Sequence, residues 1–406
     1  MRILYISQYF PPEVNAPAQR VMDFAREWTR AGHKVTVITG FPNHPAGKVY
    51  DGYKLRLVQR ETIDGVKVVR TYLYPTPNKG VLLRCINYSS FMASAVLAGG
   101  PVAGRADVVI ASCPQLLVGV AGWIISKAKR APFVLEVRDV WPEALRAVGI
   151  NVNDVFYAAL ARLTKFLYAR ASRIVVVTEG ARDTIAKHGV DRSKMLLIPS
   201  GVRLDPIASL EPEQIRRDFG DGDRVLVSYI GTHGLAQGLS SVLDAAGRLK
   251  HDQRIQFLFI GDGAEKEDLV RRKEALGLSN VCFLDHMPQT EAQRYIAASD
   301  ICLVPLRKAE LFNTTIPSKL YNLMACARPI VLSVDGEARE LVEQAGAGVY
   351  VEPENSPALA DAILKLANDP IRRAELGASG RRFVAAHYDK TKLAGAYLDL
   401  LQSLTI

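Results

Sequence analysis

The chain has 406 residues, of which 49% are hydrophobic and 23% are charged, and its net charge is +9. This composition is typical of a soluble globular protein, and the length predicts two domains of about 200 residues each. No apolar run approaches the roughly 18 residues that span a bilayer, and the quickly polar N-terminus argues against a signal peptide. We therefore expect a cytoplasmic protein. The positive charge favours anionic ligands or a membrane surface over nucleic acid, because no nucleic-acid-binding motif is present.

The cysteine and aspartate patterns of the sequence predict neither a metal site nor disulfide bonds. Five cysteines are scattered along the chain without a CxxC pair. In an intracellular context this pattern predicts reduced thiols and neither a zinc site nor a disulfide framework. Asp221-Gly222-Asp223 matches a metal-binding Asp-x-Asp spacing, but it lies in a polar segment before a strand, so we interpret it as a turn and expect no metal.

Apolar, β-branched runs alternate with helical patterns along the whole chain, which predicts parallel sheets covered by helices on both faces. The predicted strands of the first half are 2–7, 34–39, 66–73, 108–112, 133–137 and 173–178. Those of the second half are 224–230, 255–260, 281–284, 301–305, 329–332 and 348–351. Two such series predict an α/β protein with two doubly wound, Rossmann-like domains that face each other across a cleft.

A polar stretch with several Pro and Gly residues separates the two series and marks the domain boundary. The predicted division is 1–202 for the N-terminal domain, 203–223 for a linker, 224–385 for the C-terminal domain and 386–406 for a final helix that packs back across the boundary. Ligands of open parallel sheets bind at the carboxyl ends of the strands. The loops that follow strands are therefore the places to look for a site.

The segment 312–330, FNTTIPSKLYNLMACARPI, carries the strongest functional signal, because it predicts a loop, a short helix and a buried strand. Lys319 in the first helical turn lies near a partly positive helix N-terminus, and a bound anion would relieve this conflict. Asn322 lies three residues later and shares the same face. We predict that Lys319, with helix N–H groups near Thr315 and Ser318, binds the phosphates of a nucleotide.

Glycine-rich turns follow strands of the second half and allow a backbone to approach phosphate closely. After a further strand, backbone groups of His286 and Met287 are candidates for contacts with a base edge. Glycine turns are also common structural features, and a lone loop histidine also fits a surface or packing role. The residues assigned to donor binding in these turns are Gly231, Thr232, His233, Gly234, Gln237, Gly261 and Gly263.

Two polar loops of the first half are candidate sites for substrate. FVLEVRDVWPEA places Arg138 and Asp139 at a strand end, and GFPNHPAGK offers Asn43, His44 and Lys48 after an earlier strand. The alternative interpretations are an arginine–carboxylate pair that braces a loop and a rigid, proline-bounded turn.

The apolar segment 81–100 is either an ordinary core helix or a surface that meets a bilayer. In the second interpretation Lys79 and Arg84 face anionic head groups.

The chain resembles the family-four retaining glycosyltransferases of the GT-B fold, in particular the bacterial branch that builds cell-surface polysaccharides. The phrases that carry the resemblance are, in order, MRILYISQYFPPE, REWTRAGHKVTVIT, FVLEVRDVWPE, SRIVVVTEG, YIGTHGLAQGL, SDICLVPL and PSKLYNLMACARPIV. The resemblance implies a nucleotide-sugar donor, usually linked to UDP, on the second domain and an acceptor on the first. It also implies that the reaction needs no cofactor and no essential metal.

The chain departs from this family where charges are expected. Two glutamates of many members are replaced by Thr314 and Asn322, and an arginine and a lysine of the glycine turn are replaced by Thr232 and Gln237. Asn322 still has hydrogen-bonding groups for a ribose hydroxyl. We therefore assign the lost positive charge to Lys319.

Arg307 is a candidate helper of this charge, and a family histidine that contacts the donor sugar falls at Arg138. The candidate catalytic residues are thus Arg138, Asp139, Lys319 and His44. The leading hypothesis is transfer from a UDP-N-acetylhexosamine or a deoxy relative to a lipid-linked saccharide at the inner membrane face. The alternatives are a sugar-nucleotide epimerase of the same fold and a non-catalytic sugar-binding protein. The sequence carries no signal of oligomeric state.

Overall fold

The computed structural model describes residues 1–44, 46–76, 81–143, 145, 152–204, 212–219 and 224–405. The chain divides into two compact units, of which the first comprises residues 1–200 and 390–406 and the second residues 201–389. Each unit contains one sheet built mainly of parallel strands joined through helices. The predicted fold class, two doubly wound α/β domains, is confirmed.

The sheet of the first unit has eight strands in the order β3-β4-β2-β1-β5-β6-β7-β8. Neighbouring strands are parallel except β3, which is antiparallel to β4. The order reverses between β1 and β5, where open sheets of this type bind ligands. The strands are β1 Arg2–Ile6, β2 Lys34–Gly40, β3 Val58–Ile63, β4 Val66–Thr71, β5 Val108–Cys113, β6 Phe133–Val137, β7 Arg173–Val176 and β8 Met195–Leu197.

The last helix of the chain belongs to the first unit. The Trp28 indole N–H donates to the carbonyl of Ala394 at 2.9 Å, and the Tyr397 ring lies edge-on to the Trp28 ring. Lys390 forms an ion pair with the buried carboxylate of Asp23. The described helices of this unit are α1 Ala16–Arg30, α2 Val81–Ser94, Leu116–Lys129, Asp154–Arg170, Glu179–Lys187 and Lys390–Ser403. A π-helical turn, Ala95–Gly99, and a short α-helical turn, Gly100–Val102, continue α2.

The sheet of the second unit has six parallel strands in the order β11-β10-β9-β12-β13-β14. This order is that of a dinucleotide-binding Rossmann sheet, in which the switch point lies between the first and fourth strands, here β9 and β12. The strands are β9 Val225–Ile230, β10 Ile255–Ile260, β11 Val281–Leu284, β12 Ile301–Pro305, β13 Ile330–Ser333 and β14 Gly348–Tyr350. The helices are Glu213–Phe219, Leu239–Arg248, Lys266–Ala275, Gln289–Ala298, Lys319–Ala325, Glu337–Ala345, Ser356–Ala367 and Pro370–His387.

Two strands were not predicted, and the expectation of purely parallel sheets is wrong for the first unit. β3 alternates between exposed and half-buried residues, as an antiparallel edge strand does, and therefore lacks a continuous apolar run. β8 has only three residues, which is too short for a pattern. The predicted ends of β4 and β7 are each two residues too long.

Part of the predicted linker is helical and packs within the second unit. The helix Glu213–Phe219 holds Arg216, whose guanidinium pairs with the Asp300 carboxylate at 3.2 Å. The linker residues 205–211 and 220–223 lie outside the described residues.

Candidate active site

The loops that carry the predicted donor residues follow neighbouring strands of the second unit. Gly231 opens the loop after β9, Gly261 the loop after β10, and His286 lies in the loop after β11. Lys319 follows β12, across the switch point from β9. Because parallel strands end at one edge of a sheet, these loops meet at the edge where ligands bind.

The Lys319 side chain is partly buried and ends against the loop after β9. Its Nζ lies 4.0 Å from the centre of the Tyr229 ring, and a Cβ atom built on Gly231 would lie only 2.6 Å from Nζ. In the described part of the chain, no carboxylate forms an ion pair with this ammonium. Burial lowers the pKa of Lys319 to about 7, since desolvation disfavours the charged form. A cation held here without a counter-ion suits an anionic ligand.

His233 lies inside the loop cluster and is fully buried. Its ring stands edge-on to the rings of Phe259 and Phe283, and neither ring nitrogen has a hydrogen-bond partner among the described residues. Burial lowers the pKa of His233 to about 4, so the imidazole is neutral at physiological pH. In this arrangement His233 packs the loop, and its nitrogens are closed off from a ligand.

Close packing between loops requires two of the predicted glycines. A Cβ atom on Gly261 would lie 2.0 Å from the Gly231 carbonyl oxygen, and one on Gly263 would lie 2.3 Å from the His233 carbonyl oxygen. Both glycines have positive φ, 142° and 158°, which other residues rarely adopt. The loops after β9 and β10 therefore pack closely against each other. This contact supports a structural role for these glycines and is compatible with a role in phosphate binding.

The other predicted residues near the glycine turn offer no unpaired positive charge to a ligand. Thr232 is exposed, and the Gln237 side-chain oxygen accepts a hydrogen bond from the Gly234 N–H at 3.2 Å. The Arg307 guanidinium pairs with the Glu265 carboxylate at 3.0 Å. Arg307 is thus already neutralised in part, whereas Lys319 is not.

The short helix at the candidate phosphate site is Lys319–Ala325, so Thr315 and Ser318 precede it. The Thr315 N–H donates to the carbonyl of Phe312 at 3.1 Å and closes a turn. The Thr315 N–H is thus engaged within the loop, and the contact of Thr315 with a phosphate stays a prediction. Asn322 lies on the helix and is partly buried. Seven residues build only a small dipole, so the lysine supplies most of the positive charge.

The loop after β11 leaves His286 exposed and Met287 partly buried. Lys266, which the sequence analysis did not select, ties this loop to its neighbour. Its Nζ lies 2.6 Å from the Asp285 carboxylate and donates to the Gly261 carbonyl at 3.0 Å. The loops after β10 and β11 are therefore held in a fixed relation to each other.

In the first unit, Arg138 and Asp139 follow β6 beside a buried ion pair. Arg20 Nε donates to Glu136 Oε2 at 3.1 Å, and Arg138 Nη1 donates to the Ala16 carbonyl at 3.3 Å. The predicted alternative, an arginine–carboxylate brace, exists here, but Arg20 and Glu136 form it. Asp139 is exposed, yet the protein atoms around its carboxyl displace enough water to raise its pKa, and the charge of Arg138 opposes this shift.

His44 lies in a loop after β2 that a buried carboxylate holds. The backbone N–H groups of Asn43 and His44 both donate to Glu13 Oε1 at 2.9 Å. The His44 ring stands edge-on to the Tyr9 ring, and burial lowers the pKa of His44. Lys48 is exposed.

Among the described residues, no group of three or more His, Cys, Asp or Glu side chains could hold a metal ion. Asp221-Gly222-Asp223 lies outside these residues. Within the same part of the chain, no helix has the length and apolar character needed to cross a membrane.

The structure adds functional candidates that sequence patterns did not select. Tyr229 lies within a buried strand and resembles any core residue in the sequence, yet its ring contacts Lys319 Nζ. Asn87 and Tyr88 lie in an apolar helix and line a pocket with Arg84. In the sequence, the only sign of this pocket is that polar residues interrupt the apolar helix.

Two family models match the chain and together span most of it. The model described as glycosyl transferase 4-like domain matches residues 15–201, and the model described as glycosyl transferases group 1 matches residues 211–383. The chain belongs to the family-four type of GT-B glycosyltransferases.

Bacterial relatives of similar length are named as glycosyltransferases, and one of them is named for colanic acid biosynthesis. The chain is 28% identical to the inferred glycosyltransferase WbjE of Pseudomonas aeruginosa, over 72% of this chain and 74% of the relative. It is 26% identical to the candidate colanic acid biosynthesis glycosyl transferase WcaI of Escherichia coli, over 89% and 91%. The structure of HepE from Anabaena, solved with UDP and glucose, superimposes with a TM-score of 0.73 at 18% identity and covers 99% of both chains. The predicted polysaccharide branch is thereby confirmed.

Proposed function

We propose that this glycosyltransferase moves a sugar from a UDP-sugar to a saccharide acceptor with retention of anomeric configuration and without a metal. The observation that carries the proposal is the Lys319 ammonium at the switch point of the second unit. It contacts the Tyr229 ring and forms no ion pair with a carboxylate of the described residues. The HepE structures contain UDP or UDP-glucose, which supports UDP as the nucleotide. The donor sugar we propose is an N-acetylhexosamine or a deoxy relative.

In the proposed reaction, the bond between the anomeric carbon and the diphosphate oxygen breaks, and the nucleoside diphosphate leaves with the electron pair. The acceptor hydroxyl oxygen then bonds to the anomeric carbon, and its proton passes to the departing diphosphate. Negative charge develops on the diphosphate in the transition state, and protonated Lys319 stabilises it. A fixed cation aimed at developing charge is a strong catalytic device, because it needs no reorganisation during reaction.

The remaining donor contacts follow from the same assignment. Asn322, one helical turn after Lys319, binds a ribose hydroxyl. The backbone from Gly231 to Gly234 approaches the phosphates, and the loop with His286 and Met287 approaches the base. Ser318, which is exposed at the start of the helix, is the remaining candidate for a phosphate contact. His233 holds the loop in shape.

The acceptor belongs to the first unit in this proposal. Arg138, Asp139 and His44 lie at the carboxyl edge of its sheet, after β6 and β2. An open α/β sheet binds ligands at that edge, and these residues offer a cation, an acid and an imidazole to a saccharide. We propose that the acceptor is linked to a lipid.

The membrane hypothesis rests on the outer edge of α2. Leu82 is 73% exposed, Leu83 40% and Ile86 41%. Such a row on one helix can enter the head-group region of a bilayer, and it supports a protein at the inner membrane face. Flotation with anionic liposomes at low salt tests this idea. Serine at all three positions should abolish flotation, whereas serine at Leu276 and Ile371 should not, and a wild-type protein that stays at the bottom contradicts the hypothesis.

The donor site is tested by Lys319→Ala. We expect UDP affinity or turnover to fall at least about tenfold, which corresponds to roughly 1.4 kcal/mol, with an unchanged folding transition. Lys250→Ala, at an exposed position of the same unit, is the control. Unchanged kinetics in Lys319→Ala would remove this lysine from the mechanism. Conversion of a UDP-sugar into its epimer without an acceptor would instead identify an epimerase, and binding without turnover would identify a sugar-binding protein.

A further inference from the structure

The Lys319 ammonium lies on the face of an aromatic ring. Its Nζ is 4.0 Å from the centre of the Tyr229 ring, and Tyr229 is only 1% exposed, so little water reaches this contact. A cation over a ring face is attracted by the negative charge of the π-system, and the attraction grows when water is excluded. The ring therefore stabilises the charged form of a lysine whose burial disfavours that form.

The Tyr229 hydroxyl fixes the ring at the glycine turn. It donates to the Thr232 carbonyl at 2.6 Å. A Cβ atom built on Gly231 would lie 3.5 Å from the same hydroxyl and 2.6 Å from Lys319 Nζ. The ring, the turn and the ammonium are thus neighbours of one another. The hydroxyl of Tyr229 holds the loop that we assign to the phosphates, and the face of its ring holds the cation.

A neighbouring cation is balanced in a different way. The Arg307 guanidinium pairs with the Glu265 carboxylate at 3.0 Å, and such a pair competes with an anionic ligand for the N–H donors. An aromatic ring carries no net charge and does not repel a phosphate. It keeps Lys319 charged and leaves N–H donors available to a diphosphate.

The titratable groups that contact this pair keep one charge state near neutral pH. Burial raises the pKa of the Cys302 thiol to about 11 and raises the pKa of the Tyr229 hydroxyl well above its ordinary value. Burial and the charges of Lys266 and Lys319 lower the pKa of His233 to about 4. Between about pH 5 and pH 9 these three groups are therefore uncharged, and Lys319 is the member of this cluster that titrates.

From this geometry we infer that Tyr229 is a positioning residue of the transfer reaction, whose ring holds the Lys319 ammonium in its charged form beside the turn that receives the diphosphate. The inference rests on the proposed transferase function and adds a residue to the same site. Tyr229 acts on the reaction through the lysine and not by its own contact with the donor. Its ring takes the place that a carboxylate takes beside Arg307.

The test changes the electron density of the ring and conserves its shape. Tyr229→Phe is the starting variant of the full chain, and phenylalanine analogues with one, two or three ring fluorines then occupy the same position. Each fluorine withdraws electron density from the ring face and weakens its attraction for a cation. NMR of ¹³C-labelled lysine measures the pKa of Lys319 in the free protein, and the spectrum of Lys319→Gln identifies its signal. Calorimetry measures UDP affinity over the same pH range.

Tyr229→Phe should keep the pKa of Lys319 near its wild-type value of about 7, because the ring face is retained. The trifluorinated ring should lower this pKa by about one unit, which is the strength of a desolvated cation–π contact, and the other rings should give intermediate values. At pH 7 the protonated fraction of the lysine then falls from about one half to about one tenth. UDP affinity should therefore fall about fivefold at pH 7 and converge with that of Tyr229→Phe near pH 5.

The same trifluorinated ring in place of Phe259 is the matched control. Phe259 belongs to the same buried aromatic cluster, but its ring stacks on the Phe283 ring with centres 4.9 Å apart. This control should keep the wild-type pKa of Lys319 and the wild-type dependence of UDP affinity on pH. An equal shift in the control would assign the effect to a general change of the core and overturn the inference. Thermal unfolding of each variant verifies that the fold is intact.

The two measurements separate this inference from the proposed function. A Lys319 pKa that does not change with the number of fluorines overturns the inference, and an unaltered pH dependence of UDP affinity would then leave the donor proposal standing. A pKa that changes with the fluorines while UDP affinity stays constant shows that the ring holds the charge. That result contradicts the donor proposal and, with it, the role of Tyr229 in the reaction.

Discussion

The strongest prediction is that UDP binding depends on pH through Lys319. Burial lowers the pKa of this ammonium to about 7 in the free protein. A bound diphosphate would restore a value near the ordinary one of about 10.4, because an adjacent anion favours the charged form. Binding therefore takes up a proton wherever the free lysine is neutral, and affinity must fall as pH rises above 7.

The magnitude follows from the fraction of protonated lysine. With a pKa of about 7, roughly half of the free protein carries the ammonium at pH 7 and about 1% at pH 9. UDP affinity should fall about fiftyfold over this interval, or roughly 2.3 kcal/mol. The terminal phosphate of UDP, with a pKa near 6, is already ionised throughout it. A smaller drop of about tenfold would still agree with the reasoning, because it corresponds to a pKa about one unit higher.

Isothermal titration calorimetry with UDP at several pH values, repeated in buffers of different ionisation enthalpy, measures both affinity and proton uptake. Lys319→Gln keeps a polar side chain of similar reach and removes the titration. Its affinity should be low and nearly independent of pH over the same interval. Lys250→Gln should follow the wild-type curve.

Two results would refute this reasoning. Wild-type affinity that stays constant from pH 7 to pH 9 would mean that the ammonium does not meet the nucleotide. The same slope in Lys319→Gln would mean that another group takes up the proton.

Further predictions concern the supports of the two sheets. Glu136→Gln leaves the buried Arg20 guanidinium without its counter-charge, and we expect a loss of about 3–5 kcal/mol in urea unfolding. Gly261→Ala places a methyl group 2.0 Å from a backbone oxygen and should cost about 1–3 kcal/mol and weaken UDP binding; Gly277→Ala, which meets no atom within 4 Å, should cost only the backbone strain. His233 has its pKa lowered to about 4, so the unfolded chain binds the extra proton between pH 4 and about 6.5, and stability should fall by up to about 3 kcal/mol as pH drops through this window. His233→Gln should flatten that part of the curve, and an unchanged slope would assign it to other groups.

Several features were accessible from the sequence because their causes are local. Continuous apolar runs identified twelve strands, since a strand that is covered on both faces needs apolar residues throughout. The short helix beginning at Lys319 and the turn glycines at Gly261 and Gly263 also follow from neighbouring residues. The edge strand β3 was missed because it pairs with a strand on one side only and is partly exposed. It therefore carries no continuous apolar run.

The partners of the site residues depend on contacts between distant segments. Lys319 meets Gly231 and Tyr229, nearly ninety residues earlier, only because β9 and β12 lie side by side in the sheet. The His233 ring packs against Phe259 and Phe283 in the interior, a contact between distant segments that its own segment does not predict.

The sequence by itself therefore determined the class of fold, the loops that carry chemistry and the lysine that offers a charge, because periodicity and backbone preference are properties of short segments. Tertiary structure alone decided which charges are neutralised. Arg307 pairs with Glu265, whereas Lys319 contacts an aromatic ring, and no short-range sequence pattern distinguishes these two environments. The pocket beside α2 has the same origin, since its walls come from four segments that only the sheet order brings together.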